Sequence, residues 1–195
     1  MALMVIPLVI SVVLLAGCTD TEPTTTTNIG YLKATATKLG INFTFEYPDS
    51  YIKLTPVAFE DTGGDNSINL LYVEPGTAEG KADKQIQIIP LAPIKGRPNA
   101  VAWANEHITI LEINDEEFEL IERSTIEVAG ISGEMIAYKC SILGNYMNSP
   151  NLIIRDVYLD YQGYIWKISV LSITELGAQV EPDFDHLTDT FDFLD

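Results

Sequence analysis

From residue 40 onward the chain breaks into short stretches in which apolar and polar residues alternate, separated by turn formers. This is the pattern of a β-rich domain. Ile41, Phe43, Phe45 and Tyr47 alternate with Asn42, Thr44 and Glu46, which predicts a strand with one buried face, and Pro48-Asp49-Ser50 turns it. Residues 52–59 read as its neighbour. A glycine-rich loop over 61–66 leads into a strand over 68–73, which Pro75-Gly76 ends. A polar loop over 79–84 precedes a further alternation over 85–91. Later come β-rich runs over 118–128 and 131–143, joined at Ala129-Gly130, and over 152–160 and 164–173. The short connection through Gln162-Gly163 predicts a hairpin between the last two. Residues 31–38 carry no firm pattern and read as transitional.

Two segments follow the helical period instead. Asn99 is placed to cap a helix from Ala100 to about Ile113. Val101, Ala104, Ile108 and Leu111 form one stripe on it, and Ala100, Trp103, His107 and Ile110 lie beside that stripe. Such a broad apolar arc predicts a helix lying flat across a sheet. Near the C-terminus, Pro182 marks a second helix start, with Phe184, Leu187 and Phe191 at helical spacing.

The beginning of the chain has a different composition. Residues 2–16 are apolar apart from Ser11, with Pro7 as a breaker, which is the length of a signal segment and short of the roughly 20 residues that a bilayer span requires. Leu15-Ala16-Gly17-Cys18 reads as a lipobox: the two small residues give a peptidase access to the bond before Cys18, whose thiol then takes a diacylglyceryl group. Residues 1–17 are therefore expected to be a lipoprotein signal peptide, 18–39 a lipidated cysteine with a Thr-rich tether, and 40–195 one folded domain. The expected location is the extracytoplasmic face of a cell membrane. Two acyl chains hold a protein there stably, at about 0.8 kcal/mol per buried methylene. The tether residues 19–28 include six threonines, a proline and two acids.

Charge narrows the partners. The formal net charge is −17, and residues 1–17 contribute no charged side chain to it. Such a surface repels polyanions, so nucleic acid is excluded as a partner. Of the two cysteines, lipidation of Cys18 would leave Cys140 without a disulfide partner in the chain. Cys140 keeps step with Ile136, Tyr138 and Ile142 at period two, which predicts an inert thiol facing a strand's core side.

Several segments together resemble a known family. Gly40-Ile41-Asn42-Phe43-Thr44-Phe45-Glu46-Tyr47-Pro48-Asp49-Ser50-Tyr51 is similar to the opening strand and turn of PsbP/Mog1-like domains, as found in small prokaryotic lipoproteins. Ala102-Trp103-Ala104, Phe118-Glu119-Leu120-Ile121 with Val128-Ala129-Gly130-Ile131, and Phe191-Asp192-Phe193 match by type and order. Tyr51 departs from the tryptophan that many members carry there. The resemblance implies an α+β fold, an antiparallel sheet sandwiched between helices as α/β/α. It also implies a superfamily whose members assist larger assemblies and are not, as a class, catalysts. The matching positions are packing and turn residues, so no functional residue carries over.

Candidate chemistry is sparse. Glu112, Asp115, Glu116, Glu117, Glu119 and Glu122 cluster after the first helix, and Glu181, Asp183, Asp185, Asp189, Asp192 and Asp195 crowd the second. Neither run has the spacing that brings six to eight oxygens onto one cation, and the loop 61–66 lacks the alternate acids and distal glutamate of an EF-hand. Both runs read as solvated acidic faces, and no metal site is expected. His107 and His186 fall on different predicted helices with no cysteine pair, which excludes a zinc motif. His107 reads as a core histidine bonded to backbone, and His186 as solvent-facing. A triad of Cys140, His107 and an acid has no supporting motif, and no nucleophile elbow or phosphate loop occurs. Tyr146, Tyr161 and Tyr164 could form an aromatic contact patch or simply cover a core edge. The expectation is thus a lipid-anchored accessory domain, without catalytic activity or cofactor, that contacts another envelope protein. The alternative is a lipoprotein that binds a cation or small molecule through its acidic loops.

Overall fold

A computed structural model of the chain describes residues 30–54, 67–72, 82–141, 147 and 151–194. The lipobox with Cys18, the residues 19–29 after it, the loop 61–66 and Tyr146 lie outside the described residues. The elements are β1 (Tyr31–Lys38), β2 (Ile41–Pro48), β3 (Ile52–Leu54), β4 (Ile68–Tyr72), β5 (Lys84–Leu91), α1 (Ala100–Asn114), β6 (Glu119–Val128), β7 (Ile131–Cys140), β8 (Leu152–Tyr161), β9 (Tyr164–Ile173), α2 (Val180–Thr190) and β10 (Asp192–Leu194). A short 3-10 helix, Thr174–Gln179, leads into α2.

Seven strands form one antiparallel sheet in the order β3-β4-β5-β9-β8-β7-β6, and β1-β2-β10 form a second, three-stranded sheet. Side-chain alternation sends successive residues of the large sheet into two separate cores. Met135, Ala137, Val157, Leu159, Trp166, Ile168 and Val170 pack with β2, α2 and Phe193 on one face. Ile136, Tyr138, Cys140, Ile154, Tyr158 and Ile165 pack with α1 on the other. The result is an α+β sandwich with a helix on either face of the sheet.

Three hairpins share one device. Leu39-Gly40, Ala129-Gly130 and Gln162-Gly163 each connect their strands with both residues at positive φ, between 48° and 79°. That is the type I′ geometry whose twist matches the flanking strands, and glycine adopts its second position without a Cβ penalty. Asn99 caps α1 as its position predicts, its side chain accepting from the Ala102 N–H at 2.9 Å. Asp160, at the end of β8, accepts from the Ala100 N–H and fixes the helix start against the sheet.

Two elements differ from the sequence expectation. Residues 31–38, assigned to the tether, form β1 and pair in register with β2 from Tyr31↔Pro48 to Lys38↔Ile41. Phe191 ends α2 instead of continuing it, and the next residues pair with β2 as β10.

Candidate functional site

The polar centre of the molecule lies between the large sheet and α1. On β8 the residues facing α1 are Leu152, Ile154, Asp156 and Tyr158, so a carboxylate occupies a position in step with core residues. Asp156 is fully buried. Burial without partners would be costly for a carboxylate, and the neighbouring strands supply partners. Ser169, opposite it on β9, donates to one oxygen, while Tyr138 of β7 and Lys167 of β9 reach the other, each at 3.0 Å. Burial alone would push the Asp156 carboxyl up. The Lys167 ammonium, then His107 and the bond from Ser169, outweigh it and hold the group below the usual carboxylate range.

His107 of α1 closes this network. Tyr158 contacts its Nδ1, and Tyr138 its Nε2 at 3.2 Å. Burial, reinforced by the Lys167 charge, lowers its pKa to about 4 against the opposing pull of Asp156, so the ring is neutral at ordinary pH. A neutral imidazole has one donor and one acceptor. Because Tyr138 gives its proton to Asp156, it accepts from Nε2–H, and Nδ1 accepts from Tyr158. Hydrogen bonds thus link Tyr158, His107 and Tyr138 to Asp156, with Tyr158 also bonded to that carboxylate directly.

This network forms the floor of a cavity of about 390 Å³ between α1 and the strands β5, β8 and β9. Ile89, Leu91, Ile110 and Leu111 make its apolar walls, and Trp103 and Arg97 stand at one side, the guanidinium 4.5 Å from the ring. His107, Tyr158 and Lys167 contribute the polar lining. A pocket of this size and balance is of the kind that holds a small organic molecule. Beside it, α1 exposes apolar side chains to solvent: Ile110 is 44% exposed and Ile113 74%.

The sequence-derived candidates fall into place unevenly. His107 is partly buried at the edge of the α1 core, and its partners are tyrosines and not backbone, because the facing strands put hydroxyls opposite it. Both of its ring nitrogens are engaged there, so neither is directed at Cys140, which is buried in the same core. His186 does not face solvent freely. It stacks on Tyr31 with ring centroids 3.5 Å apart and lies 3.2 Å from a Glu46 oxygen, because α2 packs on β2 and the unanticipated β1 brings Tyr31 against it. Two acids from the clusters are structural. Asp115 accepts from the Ser141 backbone and hydroxyl, and Asp183 is buried on Lys84 at 3.0 Å, with Tyr51 also donating to it. Among the described residues no three His, Cys, Asp or Glu side chains converge as a metal site. Tyr161 stacks on Phe193 at 3.8 Å and, with Tyr164, packs against the core edge. Asp156, Lys167 and Ser169 were not picked out in the sequence. The available signal was a charge at 156 where the β8 period calls for a core residue.

Among the described residues no helix is long and apolar enough to cross a membrane. No protein-family model matches the chain, and no curated protein matches it significantly. Solved structures do. Cyanobacterial PsbP (CyanoP) from Synechocystis is similar with a TM-score of 0.57 at 14% identity, over 85% of this chain and 94% of that one. LpqN of Mycobacterium tuberculosis, described as involved in cell envelope biogenesis, gives 0.57 at 11% identity over 85% and 92%. The Ran-binding protein Mog1p of Saccharomyces cerevisiae gives 0.55 at 13% identity over 84% and 95%. At such identities the likeness is one of fold, and it agrees with the element order and layering described above: the chain has the PsbP/Mog1-like fold.

Proposed function

We propose that the protein is a lipid-anchored, extracytoplasmic accessory domain, tethered through a diacylglyceryl group on Cys18, that contacts another protein of the cell envelope without catalysing a reaction. The anchor rests on the lipobox at residues 15–18. The observation that carries the contact is the solvent side of α1. Ile113 is 74% exposed on a helix whose opposite face packs across the sheet, and the exposed Ile110 flanks it. Exposed apolar side chains grouped on one helix flank mark protein contact sites. The fold is shared with an envelope-biogenesis protein and a Ran-binding protein, which supports a binding role. Two acids of the clusters, Asp183 and Asp115, are already bonded to Lys84, Tyr51 and Ser141, and the loop 61–66 lies outside the described residues.

Cross-linking of the native protein in living cells, followed by mass spectrometry, tests this reading. The expected result is one envelope protein at near-equal amount, cross-linked to α1 and lost in Ile113→Glu while the variant stays folded. Cys18→Ala should release the chain from membranes. Persistent membrane attachment of that variant would overturn the anchor, and a set of random membrane neighbours unchanged by Ile113→Glu would overturn the contact.

A further inference from the structure

The cavity beneath α1 has an unusual balance of donors. Among the described residues three buried side-chain polar atoms lack a hydrogen-bonding partner, and two of them belong to residues that line this one cavity: Nε of Arg97 and Nε1 of Trp103. Both are donors. Arg97 has a counter-ion in Glu106, whose oxygen lies 2.6 Å from Nε, but the contact is an ion pair without hydrogen-bond alignment. Lys167 adds a third donor group. Its one hydrogen-bonding partner among the described residues is Asp156, and an ammonium carries three N–H bonds.

The charges point the same way. Among the described residues the ionised side chains in the cavity lining are Arg97 and Lys167; Glu106 and Asp156 pair with them from outside the lining, and no described carboxylate lines the cavity itself, in a chain whose formal net charge is −17. The remaining walls are aliphatic and aromatic. A buried donor without an acceptor is costly, so a site with the Trp103 Nε1–H, two cations whose carboxylate partners stand outside the lining, and apolar walls is complementary to a molecule that brings acceptors and negative charge on an apolar body.

We infer that the cavity between α1 and strands β5, β8 and β9 binds a small apolar carboxylate, an aromatic or aliphatic acid. Arg97, Trp103 and Lys167 hold its anionic end, and Ile89, Leu91 and Ile110 surround its body. The neutral His107 and the hydroxyl of Tyr158 form the polar floor. The site uses the domain alone, so it holds whether or not Cys18 is lipidated and whether or not Ile113 meets a partner.

The test is calorimetric titration of the full chain in neutral-detergent micelles, which keep it dispersed with or without the lipid, with empty micelles as reference and 2-naphthoate and its neutral amide as probes. Saturable 1:1 binding of the acid, at least about tenfold tighter than the amide, is expected from the two cations. Lys167 is anchored to buried Asp156, and its removal could unfold the domain, so the discriminating variants are at Ile110, which is nearly half exposed. Ile110→Glu should weaken the acid at least about tenfold and Ile110→Lys should not. Equal affinity for acid and amide, absence of saturable binding, or indifference to Ile110→Glu would each overturn the inference. None of these outcomes bears on the envelope-protein contact, which Ile113→Glu tests.

Discussion

The two faces of the seven-stranded sheet solve the same packing problem differently. The face under α2 is sealed by aromatic contacts: Phe43 meets Trp166 at 5.1 Å and Phe191 at 5.5 Å, and Phe193 meets Trp166 at 5.2 Å. Among the described residues its buried charge pair is Lys84 with Asp183, which joins β5 to α2, with Gln179 also bonded to Lys84 and Tyr51 to Asp183. The face under α1 keeps a cavity, and its buried carboxylate, Asp156, spends its bonds on groups that form or support the cavity floor. Buried charge therefore serves a clasp on one side and a lining on the other. The contrast separates what holds this fold together from what could give it a ligand.

The largest expected effect is on the clasp. Lys84→Ala leaves Asp183 buried without its cation, and breaking such a pair costs about 3–5 kcal/mol in urea unfolding. Replacing both partners, as Lys84→Met with Asp183→Leu, should recover much of that loss. A double variant as unstable as the single one would show that the pair contributes more than mutual compensation.

The other face should show its character in pH dependence. His107 titrates near 4 in the folded chain and near 6.5 when unfolded. Between those values the unfolded state binds the extra proton, so stability falls as pH drops from about 6.5 to 4, by a total on the order of 3 kcal/mol. His107→Gln keeps one donor and one acceptor and removes this slope. If the difference in stability between the two proteins stays constant from pH 7 to pH 4, the buried neutral histidine is wrongly assigned.

A smaller effect probes the tightness of the sealed face. A Cβ at Gly133 would sit 2.3 Å from Leu159 Cδ2 and 3.0 Å from the Tyr158 carbonyl oxygen. Gly133→Ala should cost about 1–3 kcal/mol, the usual range for overpacking, and its thermal midpoint should fall accordingly. A neutral outcome would mean that this side has slack and that the difference between the faces is smaller than the aromatic packing suggests.

Much of the frame could be read from residue order because its signals are local. Asn99 announces α1 by its capping chemistry, and residue–glycine pairs mark the tight turns. Cys140 falls in the core because period two puts it there. The parts that escaped are those where local signal is thin. β1 presents only Ala34 and Ala36 to the core, too little apolar contrast to reveal a strand, and β10 is three residues long. The site escaped for a different reason. His107, Tyr138, Asp156, Lys167 and Ser169 come from four elements, and only strand register brings Asp156 opposite Ser169 and Tyr158 opposite Lys167. Sequence spacing holds no trace of that convergence.

The position of β2 between β1 and β10 bears on the order in which the molecule assembles. β1 reaches β2 across a two-residue turn, a closure of low entropic cost, whereas Phe193 meets Phe43 from 150 residues away. Contacts of such separation carry a larger loop-closure cost and slow folding. The stack of Tyr161 on Phe193 therefore reports whether the C-terminal end of the chain has closed onto the strand near its beginning.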